Sequence, residues 1–362
     1  MGNWKTCQLG DLITFQRGHD LPKTKMNGST YPVVGSNGII GYHDEFTTEA
    51  PSITIGRSGN VGKPFLYKGR SWSHNTSLYI REFKNVDPIF IYYFLQTLDL
   101  GNYAGGSAVP TLNRNHIHTL DVTVPVDITE QRQIASVLSV LDDKIEKNEE
   151  INENLSDQIQ AIYSNKFDPN THTPSCVLAD ICSYSSDRIP VSELSVSTYF
   201  STENMQPNKM GSVDATSLPS ITQTTGCHKG DVLISNIRPY FKKIVYVTDD
   251  SCGCSTDVLC FVPKEDQYSA FLFGTLYMDR FFDYMVAGSK GTKMPRGDKQ
   301  QIMNYPVVLP NKESLDLFNV LIVPMLDQIA TNRTENNRLA ALRDALLPKL
   351  MSGELDVSEL DL

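Results

Sequence analysis

The chain repeats itself, and the repeat constrains its fold more than any other feature. Residues 105–125 (GGSAVPTLNRNHIHTLDVTVP) and 288–310 (GSKGTKMPRGDKQQIMNYPVVLP) share one pattern. Pro110, Ile117 and Pro125 match Pro295, Ile302 and Pro310 at a single offset of 185. A long heptad stretch follows each segment. There Ile134, Leu138, Leu141, Ile145 and Leu155 match Phe318, Ile322, Met325, Ile329 and Leu339 at an offset of 184. Two copies of a β-rich unit followed by a long helix imply a pseudo-two-fold chain, suited to a target that itself has two parts.

The first heptad stretch opens at Thr129-Glu130. Apolar residues at 134, 138, 141, 145, 155, 159 and 162 alternate spacings of four and three, apart from two gaps. That is the seam of a coiled coil. The gaps are Asn148 and Asn152, and the same heptad positions of the second stretch hold Asn332 and Asn336. Polar seam residues cost stability and fix register, so the two helices are expected to pack on each other. The roughly 35 residues from 130 to 164 span about 50 Å at about 1.5 Å each. Pro324 predicts a kink or restart in the second helix.

The β-rich units read as α+β. Strands are expected at 52–55, 64–67 and 76–80, punctuated by Gly, Asn and Ser, with a short Pro-initiated helix at 88–98. The second unit repeats the order, with strands at 231–235, 244–247 and 258–262 and one amphipathic helix over 268–285.

A length of 362 residues with 40% hydrophobic content suffices for two domains with cores. No run of 18 apolar residues occurs, so no membrane span is expected. The opening MGNWKTCQLGD lacks the apolar core of a signal peptide. Its Met-Gly start is a weak acylation signal, supported by Thr6 alone, with Cys7 beyond. The expected compartment is the cytoplasm. Seven irregularly spaced cysteines fit reduced thiols rather than a disulfide frame.

The net charge of −10 argues at first against nucleic acid. Its distribution changes that reading. Residues 1–125 carry net +2, 126–167 net −5, 168–310 net −3 and 311–362 net −4. The β-rich units are near neutral and hold basic clusters, and DNA binding needs a positive patch rather than a positive protein.

Catalytic signatures fail on inspection. Gly59-Asn60-Val61-Gly62-Lys63 lacks the flanking residues of a phosphate loop, since Arg57 and Pro64 stand where Gly and Ser or Thr are needed. Glu82-Phe83-Lys84 has the form of a metal-nuclease motif without a nearby strand aspartate. Cys227, His228, Cys252, Cys254 and Cys260 match no zinc spacing. No metal site and no bound cofactor are therefore expected. No dinucleotide fingerprint and no amino-methyltransferase tetrapeptide is present.

What remains is a set of polar and basic loops. In the first unit these carry Arg57, Ser58, Asn60, Lys63, His74 and Asn75, then Ser107, Asn113 and Arg114. In the second unit the analogous strand end carries Arg238, Tyr240, Lys242 and Lys243. A Gly-rich loop follows with Lys290, Lys293, Arg296 and Lys299. Arginine forks suit guanine edges and asparagine suits adenine, while lysines and backbone N–H groups hold phosphate. The strand-end arginines, Arg57 and Arg238, are the expected base readers, and Lys290, Lys293, Arg296 and Lys299 the expected phosphate contacts.

The chain resembles the specificity subunit of type I restriction–modification systems. The resemblance is carried by IGRSGNVGKPFLY (55–67), ITEQRQIASVLSVLDDKIEKNEEINENL (128–155), GDVLISNIRPYFKK (230–243) and ENNRLAALRDALLPKLMSGEL (335–355). One departure is that Asn311-Lys312-Glu313-Ser314 stands where the first helix opens with Glu-Gln-Arg. The resemblance implies target recognition domains at 1–126 and 168–311, spacer helices at 127–167 and 312–351, and a tail at 352–362. Each domain would read one half of a bipartite double-stranded DNA sequence, and the paired antiparallel helices would set the gap. Two modification subunits, using S-adenosylmethionine, and restriction subunits, using ATP and Mg, would dock on this non-catalytic chain. The competing readings are an enzyme with a cryptic nuclease or methyltransferase site, or a coiled-coil scaffold that binds only protein.

Overall fold

The computed structural model describes residues 3–105, 110–167 and 171–357. The fold is α+β, with the chain divided into two units: Met1–Asp143 with Leu339–Leu362, and Lys144–Arg338.

The first unit is closed by its ends. Strand Trp4–Gln8 pairs antiparallel with Asp121–Pro125. Its main antiparallel sheet runs in the order Ile13–Arg17, Ser77–Phe83, Ser52–Gly56, Pro64–Tyr67. A smaller sheet orders Gly38–His43, Tyr31–Gly35 and Trp72–Ser73, the last pairing parallel. Helix Pro88–Gln96 covers the main sheet and starts where the sequence places Pro at its first turn. Asp87 caps it, its Oδ1 accepting from the N–H groups of Ile89 and Phe90 at 3.0 Å each. The core gathers Phe15, Ile53, Ile55, Phe90, Ile91 and Phe94, with Ile134 and Leu138 from the first long helix and Leu350 and Met351 from the second.

The second unit repeats this order. Cys176–Val177 pairs with Pro306–Val307. The main sheet runs Cys182–Tyr184, Val258–Pro263, Val232–Ser235, Ile244–Tyr246, the same topology strand for strand. The smaller sheet orders Arg188–Pro190, Gln223–Cys227, Cys252–Cys254 and Tyr199–Phe200, again with a parallel last pair. Its core centres on an aromatic group: Tyr163 and Phe167 of the first long helix pack on Phe271 and on Phe318 of the second.

The region 268–285 is two helices rather than one. Ser269–Tyr277 and Asp279–Ala287 are separated at Met278, whose backbone is extended at φ −67, ψ 140. The apolar periodicity runs through the break because both helices bury toward the same core. The carboxylate of Asp279 sits in the first turn of the second helix, where the N-terminal partial charge favours it.

The long helices span Ile128–Phe167 and Lys312–Met351. The first begins one residue before Thr129. Asp127 caps it, Oδ1 accepting the Thr129 N–H at 2.8 Å, and Asn311 caps the second through the Ser314 N–H at 2.8 Å. Pro324 does not restart the second helix. It lies on the exposed side, costs one backbone hydrogen bond, and is outweighed by the burial of Phe318, Ile322, Leu326 and Ile329 around it. Lys312–Met351 is also the one described helix long and apolar enough to cross a membrane by length and composition. Leu315, Phe318, Ile322, Leu326 and Ile329 of that helix are buried in the second unit's core, while Leu317, Val320, Leu321 and Val323 are exposed.

Glu130-Gln131-Arg132 acts as a clamp in the first unit. Gln131, 1% exposed, accepts the Asp87 N–H at 2.8 Å and donates to the Pro125 carbonyl at 2.9 Å. Trp4 Nε1 donates to Glu130 at 3.2 Å, and Arg132 lies 3.5 Å from Asp87. Within each unit the two helix segments run antiparallel. In the first, Arg343 Nη1 meets Asp142 at 2.6 Å, and Tyr93 donates to the same carboxylate at 2.6 Å.

Candidate nucleic-acid interface

In the first unit the site is built on the turn between Ser52–Gly56 and Pro64–Tyr67. The Gly62 N–H bonds the Gly56 carbonyl at 2.8 Å, and the Gly56 N–H bonds that of Lys63 at 3.1 Å. Gly62 sits at φ +80, and a Cβ there would lie 2.4 Å from the Gly101 nitrogen, so glycine is required. The Arg57 and Ser58 N–H groups both donate to the Thr76 carbonyl, at 2.8 and 3.2 Å. The Leu112 N–H then bonds the Arg57 carbonyl at 2.8 Å. Three loops thus meet at one place and bring together Arg57, Ser58, His74, Asn75, Asn113 and Arg114.

Their side chains differ in freedom. Arg57 has no side-chain hydrogen bond or ion pair among the described residues. Arg114 and Asn60 are exposed, and Lys63 lies 5.6 Å from the Phe65 ring centroid. Asn75 donates to Asp20, and His74 Nδ1 lies 3.1 Å from the Thr76 hydroxyl. Asn113 caps helix Arg114–His118 by accepting the Asn115 N–H at 3.0 Å. Ser107 lies outside the described residues.

In the second unit the equivalent turn, 236–243, joins Val232–Ser235 to Ile244–Tyr246. The Arg238 N–H bonds the Pro295 carbonyl at 2.8 Å, and Ile237 pairs with Arg296. This carries the Gly-rich loop alongside the turn and gathers Arg238, Tyr240, Lys290, Lys293 and Arg296. Arg238 is half-buried, with Nε unpartnered.

Most of the cations are tethered. Lys242 and Lys209 share Asp279 at 2.9 and 2.7 Å, which holds that carboxyl below its ordinary range despite partial burial. Lys243 donates to the Thr202 carbonyl at 2.5 Å, and burial lowers its pKa. Arg296 meets Asp257 at 2.8 Å, and Lys290 meets Asp298, whose carboxyl is lowered by that lysine and by the N–H groups of Gln301 and Gln300. Lys299 lies 5.6 Å from the Tyr184 ring. Lys293 is exposed and has no side-chain partner among the described residues. The pairs at Lys290 and Arg296 are solvent-exposed, hence worth little and exchangeable for a phosphate at small cost. Phe241, Lys209, Asp257 and Asp279 were not singled out from sequence. The acids lie tens of residues away along the chain, and only Phe241, beside Tyr240, left a local signal.

The seam asparagines come together. Asn148, 1% exposed, donates to Glu335 Oε2 at 2.7 Å and Asn336 Oδ1 at 2.8 Å. Asn332 donates to Asn152 Oδ1 at 2.9 Å and accepts from Gln328 at 2.7 Å.

The remaining chemistry-bearing residues have structural partners. Glu82 accepts from the Thr14 hydroxyl at 3.3 Å, and Lys84 donates to the Gly10 carbonyl at 2.7 Å. Cys227 and Cys252 face each other across paired strands. Neighbouring Cys254 and Cys260, together with burial, push the Cys227 thiol up, and burial pushes Cys252 to about 12. Among the described residues no group of three or more acidic, His or Cys side chains is arranged to hold a metal.

A duplicated α+β unit, heptad helices and basic turns at matching strand ends define a two-unit α+β fold. The same fold is found in the crystal structure of a type I restriction–modification S subunit from M. genitalium, with a TM-score of 0.64, 17% identity and 96% of each chain covered. Residues 1–157 match the family described as the type I restriction modification DNA specificity domain. The chain is 23% identical over 336 residues to the type I restriction enzyme MjaIX specificity subunit of Methanocaldococcus jannaschii, covering 77% of this chain and 73% of that one. It is 23% identical over 403 residues to the EcoDI specificity subunit of Escherichia coli, covering 98% and 89%. The likeness to type I restriction–modification specificity subunits is thus one of sequence over residues 1–157 by the family model, and one of fold over 96% of the chain.

Proposed function

We propose that this chain is the DNA-recognition subunit of a type I restriction–modification enzyme, each unit reading one half of a bipartite target. The observation that carries the reading is the duplication: the same four-stranded sheet order in both units, each with a basic turn between its last two strands. Identical scaffolds with different turns are what two readers of two different half-sites need. Arg57 and Arg238 are the base-reading forks, and Lys293 with its neighbours holds phosphate. The long helices serve as spacer and as docking surface for two modification subunits. S-adenosylmethionine, ATP and Mg act on the partner subunits, in the cytoplasm, and this chain is non-catalytic. Long-read methylation mapping of a strain with and without the gene tests the reading. It expects a two-part motif that vanishes with the gene. Unchanged methylation, or S-adenosylmethionine binding to the isolated chain by calorimetry, favours a different protein class.

A further inference from the structure

The two units place very different loops at the same point of the same sheet. The first unit's turn, RSGNVGK at 57–63, has no apolar side chain larger than valine. The second unit's turn, NIRPYFKK at 236–243, exposes two aromatic rings. Tyr240 is 49% and Phe241 38% exposed, with ring centroids 4.8 Å apart.

The backbone under these rings is held at both ends in a conformation that non-glycine residues seldom adopt. Arg238 sits at φ 50 and Lys242 at φ 52, on either side of the short helical turn Pro239–Phe241. The Phe241 and Lys242 N–H groups bond the carbonyls of Arg238 and Pro239 at 2.9 Å each. The Asn208 and Lys209 N–H groups bond the carbonyls of Phe241 and Lys242 at 2.8 and 2.9 Å, while Pro295 holds Arg238 from the other flank. Pro239 is buried beneath. The turn is therefore braced on both sides and its aromatic pair is presented to solvent beside Arg238, Lys242 and Lys243.

We propose that Tyr240 and Phe241 form a stacking wedge that unstacks a base step in the half-site read by the second unit. The proposal rests on the DNA-recognition reading above and adds an asymmetry to it. The second half-site is selected partly by how easily the DNA opens, so a flexible pyrimidine–purine step belongs under the wedge. The first half-site, faced by a turn without aromatics, is read without that deformation. Tyr240, the more exposed ring, stacks on the nucleobase, and the exposed Lys293 of the neighbouring Gly-rich loop holds the displaced backbone.

The test uses the assembled methyltransferase containing the full chain and its mapped target duplex. 2-Aminopurine is placed at successive positions of each half-site other than the methylated base and its immediate neighbours, which base extrusion itself unstacks. A fluorescence rise is expected at one step of the second half-site and at none of the first. Y240A/F241A should abolish the rise and weaken specific binding by about 5- to 150-fold, the range for losing one base–aromatic stack. Y240F, which keeps a ring at that position, should retain both. Absence of any rise in the second half-site during tight specific binding would overturn the wedge, as would a rise that persists in Y240A/F241A. Failure of the wild-type assembly to bind specifically at all would instead overturn the recognition reading beneath it.

Discussion

Asn148→Ala removes a nearly inaccessible side chain that bridges the two long helices in the second unit. It donates to Glu335 at 2.7 Å and to Asn336 at 2.8 Å. Glu335 is 44% exposed and keeps Lys144 at 3.3 Å, so water and that lysine replace the lost donor there. The part-buried Asn336 amide oxygen is left without its partner. The expected loss is about 1–2 kcal/mol, the cost of stranding one part-buried polar group. For a unit of this size that corresponds to about 2–8 °C in Tm. The pair N148L/N336L removes both amides and places apolar residues on the seam, so it should return to within about 1 kcal/mol of wild type or exceed it. Far-UV circular dichroism in urea is the assay. Tryptophan fluorescence is its internal control, because Trp4 and Trp72 both lie in the first unit. Acid should shrink the effect. Asn148 is the largest contributor lowering the Glu335 carboxyl below its usual 4.5, so that contribution is present above the unfolded value and lost as pH falls through the folded one. If N148A costs nothing, or if the double variant loses the sum of the two single losses, the amides are not coupled and the reasoning fails.

Gln131→Leu should destabilise the first unit by about 1–3 kcal/mol, seen by tryptophan fluorescence, because it strands the Asp87 N–H and the Pro125 carbonyl. His228 is raised above its ordinary 6.5, first by the Asp250 carbonyl and then by Asp187. Its stabilisation is therefore full below the unfolded value and lost as pH rises through the raised one. H228Q should lower Tm at pH 5.5 and leave it unchanged at pH 9, and an equal loss at both would contradict the ionic account. In the assembled enzyme, K293A should flatten the dependence of log K on log salt by about 0.9. R238A should cost on the order of 1–3 kcal/mol on the specific duplex and little on random DNA.

Short strands bounded by Gly, Asn and Pro were legible in the sequence, since 64–67 coincides with Pro64–Tyr67 and 244–247 overlaps Ile244–Tyr246. The repeat announced a duplicated α+β chain, but not the sheet order, because pairing Ile13–Arg17 with Ser77–Phe83 is a long-range choice that no local pattern encodes. The break at Met278 was hidden because apolar periodicity reports which face is buried, not whether the backbone stays helical across it. Tyr163 and Phe167, which anchor the second unit's core, fell outside the strict heptad positions. The basic loops were visible as charges, yet their tethers to Asp257, Asp279 and Asp298 were not. These depend on tertiary contacts and reduce the cations standing free.

Replacement of residues 1–126 by the corresponding domain of a relative with a different target, followed by long-read methylation mapping, tests the two-reader account most directly. The account predicts a new first half-site, an unchanged second half-site and an unchanged gap between them. Simultaneous change of both half-sites in a stable, active assembly would contradict it.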